Sequence, residues 1–164
     1  MISIMAILIV SPVFLYFYFK PEVNSNLKIS AFQQELFTDK IEYTEFTDSL
    51  KNRFGKHLLF ITEDCEDANY VENSILTPLS LIDENALPKI IKIDTTNTKN
   101  LTVTQLKNNY GIETTPAFVY IEVKDKKIEV IDAIVYHEDA PFTQNELKTW
   151  LFENNLWDGP YDEK

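Results

Sequence analysis

The spacing of apolar residues divides the chain into a charge-free N-terminal run and a longer stretch in which strand and helix periods alternate. From Met1 to Phe19 no side chain is charged. A helix of that length, rising ~1.5 Å per residue, spans about 27–30 Å, enough for a hydrocarbon core. Tyr16, Tyr18 and Lys20 then fall where an aromatic belt and a snorkelling cation belong. No Lys or Arg precedes the run, and bulky Phe17-Tyr18-Phe19 stands where a cleaved leader would carry small residues. Residues 1–20 are therefore expected to be an uncleaved transmembrane anchor rather than a signal-like segment, with the rest of the chain outside the cytoplasm. Residues 21–40 mix polar groups with Phe32, Leu36 and Phe37 and read as a linker.

From Ile41 the periods change in an ordered way. The pattern predicts a short strand at Ile41-Glu42-Tyr43, then a helix capped by Thr44 with Phe46, Leu50 and Phe54 on one face and Gly55 at its end. His57-Leu58-Leu59-Phe60-Ile61 is a continuous apolar run, as in a strand buried on both faces. Ala68, Val71, Ile75, Leu79 and Ile82 lie close to one helical face, and Pro78 is expected to kink or split that helix. Ile90-Ile91-Lys92-Ile93 is another buried strand, followed by a turn at Asp94-Thr95-Thr96-Asn97. Thr102 and Gln105 form a capping box for a helix bearing Val103 and Leu106, which ends at Tyr110-Gly111. Pro116 to Val123 and Ile128 to Tyr136 make a hairpin about Asp125-Lys126-Lys127. Thr143 and Glu146 box the last helix, with Leu147, Trp150 and Leu151 as its stripe. The order is β-α-β-α-β-α-β-β-α, a mixed central sheet flanked by helices over residues 41–157, with 158–164 as an acidic tail.

Composition narrows the function classes. The chain has 164 residues and a formal charge of −11, from 15 Lys+Arg against 26 Asp+Glu. That balance repels phosphate backbones, so nucleic acid is not an expected partner. A 45% hydrophobic content supports one folded core rather than disorder. The single cysteine, Cys65, permits no intramolecular disulfide and no cysteine-based zinc site. Glu63, Asp64, Glu66 and Asp67 surround it with carboxylates, but no glycine is present there for a calcium loop, so no metal and no cofactor is expected. His57 and His137 have no nucleophile partner evident in the sequence. Asn100-Leu101-Thr102 is a glycosylation sequon that would matter only in a eukaryotic secretory pathway.

The element order, taken with Phe60-Ile61-Thr62-Glu63-Asp64-Cys65, Lys92-Ile93-Asp94 and Asn109-Tyr110-Gly111-Ile112-Glu113-Thr114-Thr115-Pro116-Ala117, resembles the thioredoxin family. The resemblance implies that Cys65 occupies the first position of a Cys-x-x-Cys motif at a helix start, and that Thr115-Pro116 is the cis-proline loop beside it. It also places Ala68 at the resolving cysteine, Leu59 at the buried acid and Ile90 at that acid's lysine partner. Dithiol chemistry within one chain is thereby lost. The helix start favours an anionic sulfur. The four carboxylates oppose it, since two like charges ~6 Å apart repel by about 1.4 kcal/mol at an effective dielectric of roughly 40.

Two functions follow from the resemblance. The first is a non-catalytic binding or accessory module that docks a protein or peptide through Thr115, Pro116, Glu66, Asp67 and Ala68. The second is a monothiol thiol-disulfide oxidoreductase with Cys65 as nucleophile. Anchored thioredoxin-like proteins of low-GC Gram-positive bacteria, including bacteriocin transport accessory proteins, look similar in layout. Oligomeric state is left open.

Overall fold

The computed structural model describes residues 36–82, 85–98 and 101–161, and of 44–47 the backbone alone. The expected anchor (1–20), most of the linker and Asn100 of the sequon lie outside the described residues. Among the described residues no helix is long and apolar enough to cross a membrane.

Five strands, β1 (Phe37–Glu42), β2 (Gly55–Thr62), β3 (Ile90–Asp94), β4 (Ala117–Lys124) and β5 (Lys127–Val135), form one sheet in the order β1-β3-β2-β4-β5. β1, β3 and β2 run parallel, whereas β4 is antiparallel to β2 and β5 to β4. The helical segments are α1 (Tyr43–Lys51), α2 (Glu66–Tyr70), a π-helical turn (Val71–Leu76), α3 (Thr77–Ser80), α4 (Val103–Tyr110) and α5 (Gln144–Glu153). This mixed sheet with helices, and the cis peptide at Thr115–Pro116 that leads into β4, fit a thioredoxin-like fold.

The unbroken apolar runs of β2 and β4 are what a central, doubly covered strand requires, because successive side chains point to opposite faces. Leu58, Phe60, Phe118 and Tyr120 meet Val71, Ile75 and Leu79 and the Leu147, Trp150 and Leu151 stripe of α5 on one face. Leu59, Ile61, Val119 and Ile121 meet Leu50 of α1 and Leu106 and Tyr110 of α4 on the other. Both capping boxes form as the pattern predicts, and Gly111 closes α4 in the left-handed region at φ 71°. The hairpin turn is tighter than expected: Asp125 and Lys126 make it at φ 50° and 60°, and Lys127 already belongs to β5.

Several expectations are corrected. β1 begins at Phe37, inside the stretch read as linker, and Tyr43 opens α1 rather than ending the strand. Glu42, without a side-chain hydrogen bond, stands at the cap in place of Thr44. α1 stops at Lys51, so Phe54 falls in the turn to β2 and is 82% exposed instead of extending the face of Leu50. Gly55 enters β2 at φ 109°, a conformation that side chains rarely adopt. Pro78 neither stops nor splits the helical run. The turn before it widens so that the Thr77 N–H donates to the Glu72 carbonyl, five residues back, joined by the Thr77 hydroxyl at 2.8 Å. Pro78 then sits in the first turn of α3, where a missing N–H costs least. Ile82 lies past the end of α3 and Val103 on the outer side of α4; both are exposed.

The chain after α5 is also docked as far as it is described. The Asp158 N–H donates to the Ala86 carbonyl at 3.1 Å, and the Tyr161 ring stacks on Phe152 at 4.0 Å. A methyl group on Gly159 would lie 2.6 Å from the Ala86 Cβ, so this segment packs too closely for any side chain there.

Candidate functional site

β2 hands the chain to α2 through Glu63, Asp64 and Cys65. Cys65 is half-buried and takes the N-cap position of α2, its Sγ accepting the Ala68 N–H at 3.4 Å. Its carbonyl accepts the Asn69 N–H at 3.1 Å and the Asn69 side-chain amide at 3.0 Å. Sulfur is a weak acceptor, so this cap is looser than the oxygen caps of α4 and α5. Ala68, which the resemblance sets at the place of a resolving cysteine, is 4% exposed and carries no reactive group.

The register sets the second loop beside the first. Ile61 of β2 pairs with Ala117 of β4, so the chain leaving β2 toward Cys65 and the chain entering β4 from Thr115–Pro116 share one end of the sheet. Pro116 is buried and Thr115 half-buried. The Pro116 carbonyl accepts the Tyr136 N–H at 3.0 Å. The Tyr136 ring in turn lies 5.8 Å from that of Tyr70, one turn along α2 from Glu66 and Asp67. Burial first, then the Asp67 carboxylate, Tyr70 and Glu138, push the Tyr136 phenol above its ordinary range. The predicted site residues Cys65, Glu66, Asp67 and Ala68 thus occupy one helix start, and Tyr136 links that helix to Pro116. Neither Tyr70 nor Tyr136 stands out in sequence, because their pairing depends on β5 returning along β4.

The positions that the resemblance gives to a buried acid and its lysine are apolar and fully buried, as expected for Leu59 and Ile90. They do not face each other. Leu59 is in register with Ile91 and packs on the α1 and α4 side, whereas Ile90 packs on the α5 side.

A polar cleft of about 380 Å³ opens at the C-terminal ends of β1, β3 and β2, with Asp64 and Ala68 on its near wall. Two ion pairs floor it. Lys92 pairs with Glu72, their side chains only 20% and 14% exposed, and the Lys40 ammonium lies 2.8 Å from Asp94. Burial works against an ionised Asp94, but hydrogen bonds from Lys40 and Thr96 outweigh it and hold the carboxyl at about 2. The loop after β3, legible in sequence only as a turn, proves to be bonded to the Cys65 loop. The Thr95 N–H and hydroxyl both reach the Thr62 carbonyl, at 2.8 and 3.0 Å. The Asp64 N–H donates to the Thr96 hydroxyl at 2.8 Å.

Chemically, one thiol at a helix start can attack a partner disulfide, forming a mixed disulfide and expelling the other partner sulfur as a thiolate, but no second thiol in the chain can release it. No protein-family model and no curated protein matches the sequence. Among solved structures, the chain is similar to a thioredoxin from Trichomonas vaginalis, at 16% identity over 70% of this chain and 96% of that one, with a TM-score of 0.41. It is also similar to a redox protein from Chlamydomonas reinhardtii, at 16% identity and a TM-score of 0.46, covering 77% of this chain and 39% of that one. The thioredoxin-like reading of the fold rests on the strand order, the register and the cis proline themselves.

Proposed function

We propose that this chain is a membrane-anchored, thioredoxin-like binding or accessory module with a degenerate redox motif, which docks an extended segment of a partner protein along Thr115–Pro116 and the start of α2. The observation that carries the reading is the buried Ala68 three residues after a lone Cys65, at the end of the sheet where the cis Thr115–Pro116 loop enters β4. The docking geometry outlasts the chemistry that it serves in a dithiol enzyme. An extended peptide would pair with the Thr115 backbone and reach Glu66 and Asp67, adding main-chain hydrogen bonds as an extra strand does. A layout similar to that of bacteriocin transport accessory proteins would fit this role outside the cytoplasm. The charge-free run at 1–19 supports the anchor, and the full chain is expected to stay with membranes through an alkaline carbonate wash.

A monothiol oxidoreductase is the second reading, favoured by the partial exposure of Cys65 and the hydrogen bond to its sulfur. The Cys65 thiolate would attack a substrate disulfide, forming one S–S bond and expelling the other substrate sulfur as a thiolate. Glutathione would then displace Cys65 and carry the substrate sulfur away in a new mixed disulfide.

Panning the detergent-solubilised full chain against displayed peptides, with Thr115→Arg as the competitor, tests the first reading. Selected peptides are expected to bind wild type and lose affinity for Thr115→Arg, whereas binding indifferent to Thr115 overturns it. Glutathione-coupled reduction of a mixed-disulfide peptide separates the two readings. The binding module turns over no faster than Cys65→Ser, and the enzyme loses its turnover in that variant.

A further inference from the structure

We propose that the Thr95–Thr96 turn after β3 is a latch that positions Cys65, with the Thr96 hydroxyl as its releasable catch. Only Glu63 and Asp64 separate the last residue of β2 from Cys65. One end of this short span is held in a dry environment: Thr62 and Thr95 are 1% and 7% exposed, and two hydrogen bonds from Thr95 converge on the Thr62 carbonyl. The other end is held at a wet one. Asp64 and Thr96 are both exposed, and the bond between them spans 32 residues of sequence.

The catch is itself braced. Asp94 accepts the Thr96 N–H at 2.9 Å, which orients Thr96, and the Lys40 ammonium of β1 bonds the same carboxylate. The series Lys40, Asp94, Thr96, Asp64 therefore runs from the sheet edge to the residue next to Cys65. Beyond Asp64 the sulfur has one hydrogen bond, to Ala68. A segment with a buried, doubly bonded end and an exposed, singly bonded end opens at the latter, because water competes for that bond. Thr96 is a positioning residue for the Cys65 surface. The inference rests on the reading that this surface is where the protein works.

The test is the rate at which iodoacetamide alkylates Cys65 in the full chain, paired with hydrogen exchange at the Asp64 amide. Thr96→Val removes the acceptor without disturbing the core, and both rates are expected to rise about fivefold, the equivalent of one net hydrogen bond. Thr96→Ser restores the hydroxyl and should return both toward wild type. Thr143→Ala, which weakens the distant α5 cap, should leave alkylation unchanged. The latch is overturned if Thr96→Val reacts at the wild-type rate, if Thr143→Ala accelerates it equally, or if the wild-type Asp64 amide is unprotected. Failure of docking appears elsewhere, as peptide binding that ignores Thr115, so the two outcomes are distinguishable.

Discussion

Helices α4 and α5 each begin on a threonine whose hydroxyl accepts the amide of Gln105 or Glu146, while that residue's side chain reaches back to the threonine amide. Every partner lies within three residues of the others. α2 begins on a sulfur with a single 3.4 Å bond, and the approach to it is held from β3 instead. The first arrangement is a property of a short peptide that folding merely preserves. The second exists only once the sheet has brought β2 and β3 into register. The only thiol of the chain therefore sits at a helix start that local sequence supports less than those of α4 and α5.

The comparison breaks most visibly if the long-range tie on the π-helical turn that continues α2 is cut. Replacing Lys92 with Met leaves Glu72, 14% exposed, as a nearly buried carboxylate without its cation. The loss of stability is expected to be about 2 kcal/mol in urea unfolding, with the double replacement Lys92→Met, Glu72→Met recovering most of it. Equal losses from the single and double variants would show that the pair does not tie the helix to the sheet.

The caps give a smaller and more pointed contrast. Thr143→Ala should cost about 1 kcal/mol, whereas Cys65→Ala should cost only a few tenths. Cys65→Ser, which supplies an oxygen acceptor, should be at least as stable as wild type by the same measurement. A Cys65→Ala loss matching that of Thr143→Ala would erase the distinction between the two kinds of helix start.

The smallest effect is electrostatic. Because the folded Asp94 carboxyl is held at about 2 against an ordinary 3.8, its contribution is present above pH 4 and is lost as the pH falls toward 2. Lys40 is 60% exposed, so solvent screening keeps that contribution below about 1 kcal/mol. Acid denaturation of Asp94→Asn should accordingly be flatter than wild type between pH 4 and pH 2. An unchanged slope would remove Asp94 from the bracing of the Cys65 loop.

Legibility followed the range of the interactions. Continuous apolar runs located β2, β3 and β4, and the boxes at Thr102 and Thr143 located two helix starts, because each signal is complete within a few residues. The start of α1 was misplaced because Thr44 is an apt cap in isolation, yet β1 runs straight into the helix at Tyr43. Pro78 is expected to kink or split its helix because the rule concerns α-helical bonding, and the wider turn before it keeps the helical run continuous. At the candidate site Cys65, Ala68 and Thr115–Pro116 could be named from spacing and resemblance. Tyr136 and Thr96 could not, since Tyr136 meets Tyr70 only through the tertiary fold and the local bond of Thr96 to Asp94 gives no sign of the Asp64 amide.

From its residues alone the chain was bound to have one thiol, no internal disulfide, two boxed helices and strands too apolar for a surface position. Those properties depend on which side chains exist and on neighbours a few positions apart. The sheet order decided the rest: Ile61 beside Ala117, the face that separates Leu59 from Ile90, and the hydroxyl of Thr96 at the Asp64 amide. Each joins residues far apart in sequence, and no local preference encodes a hydrogen bond whose two ends meet only after the strands have paired.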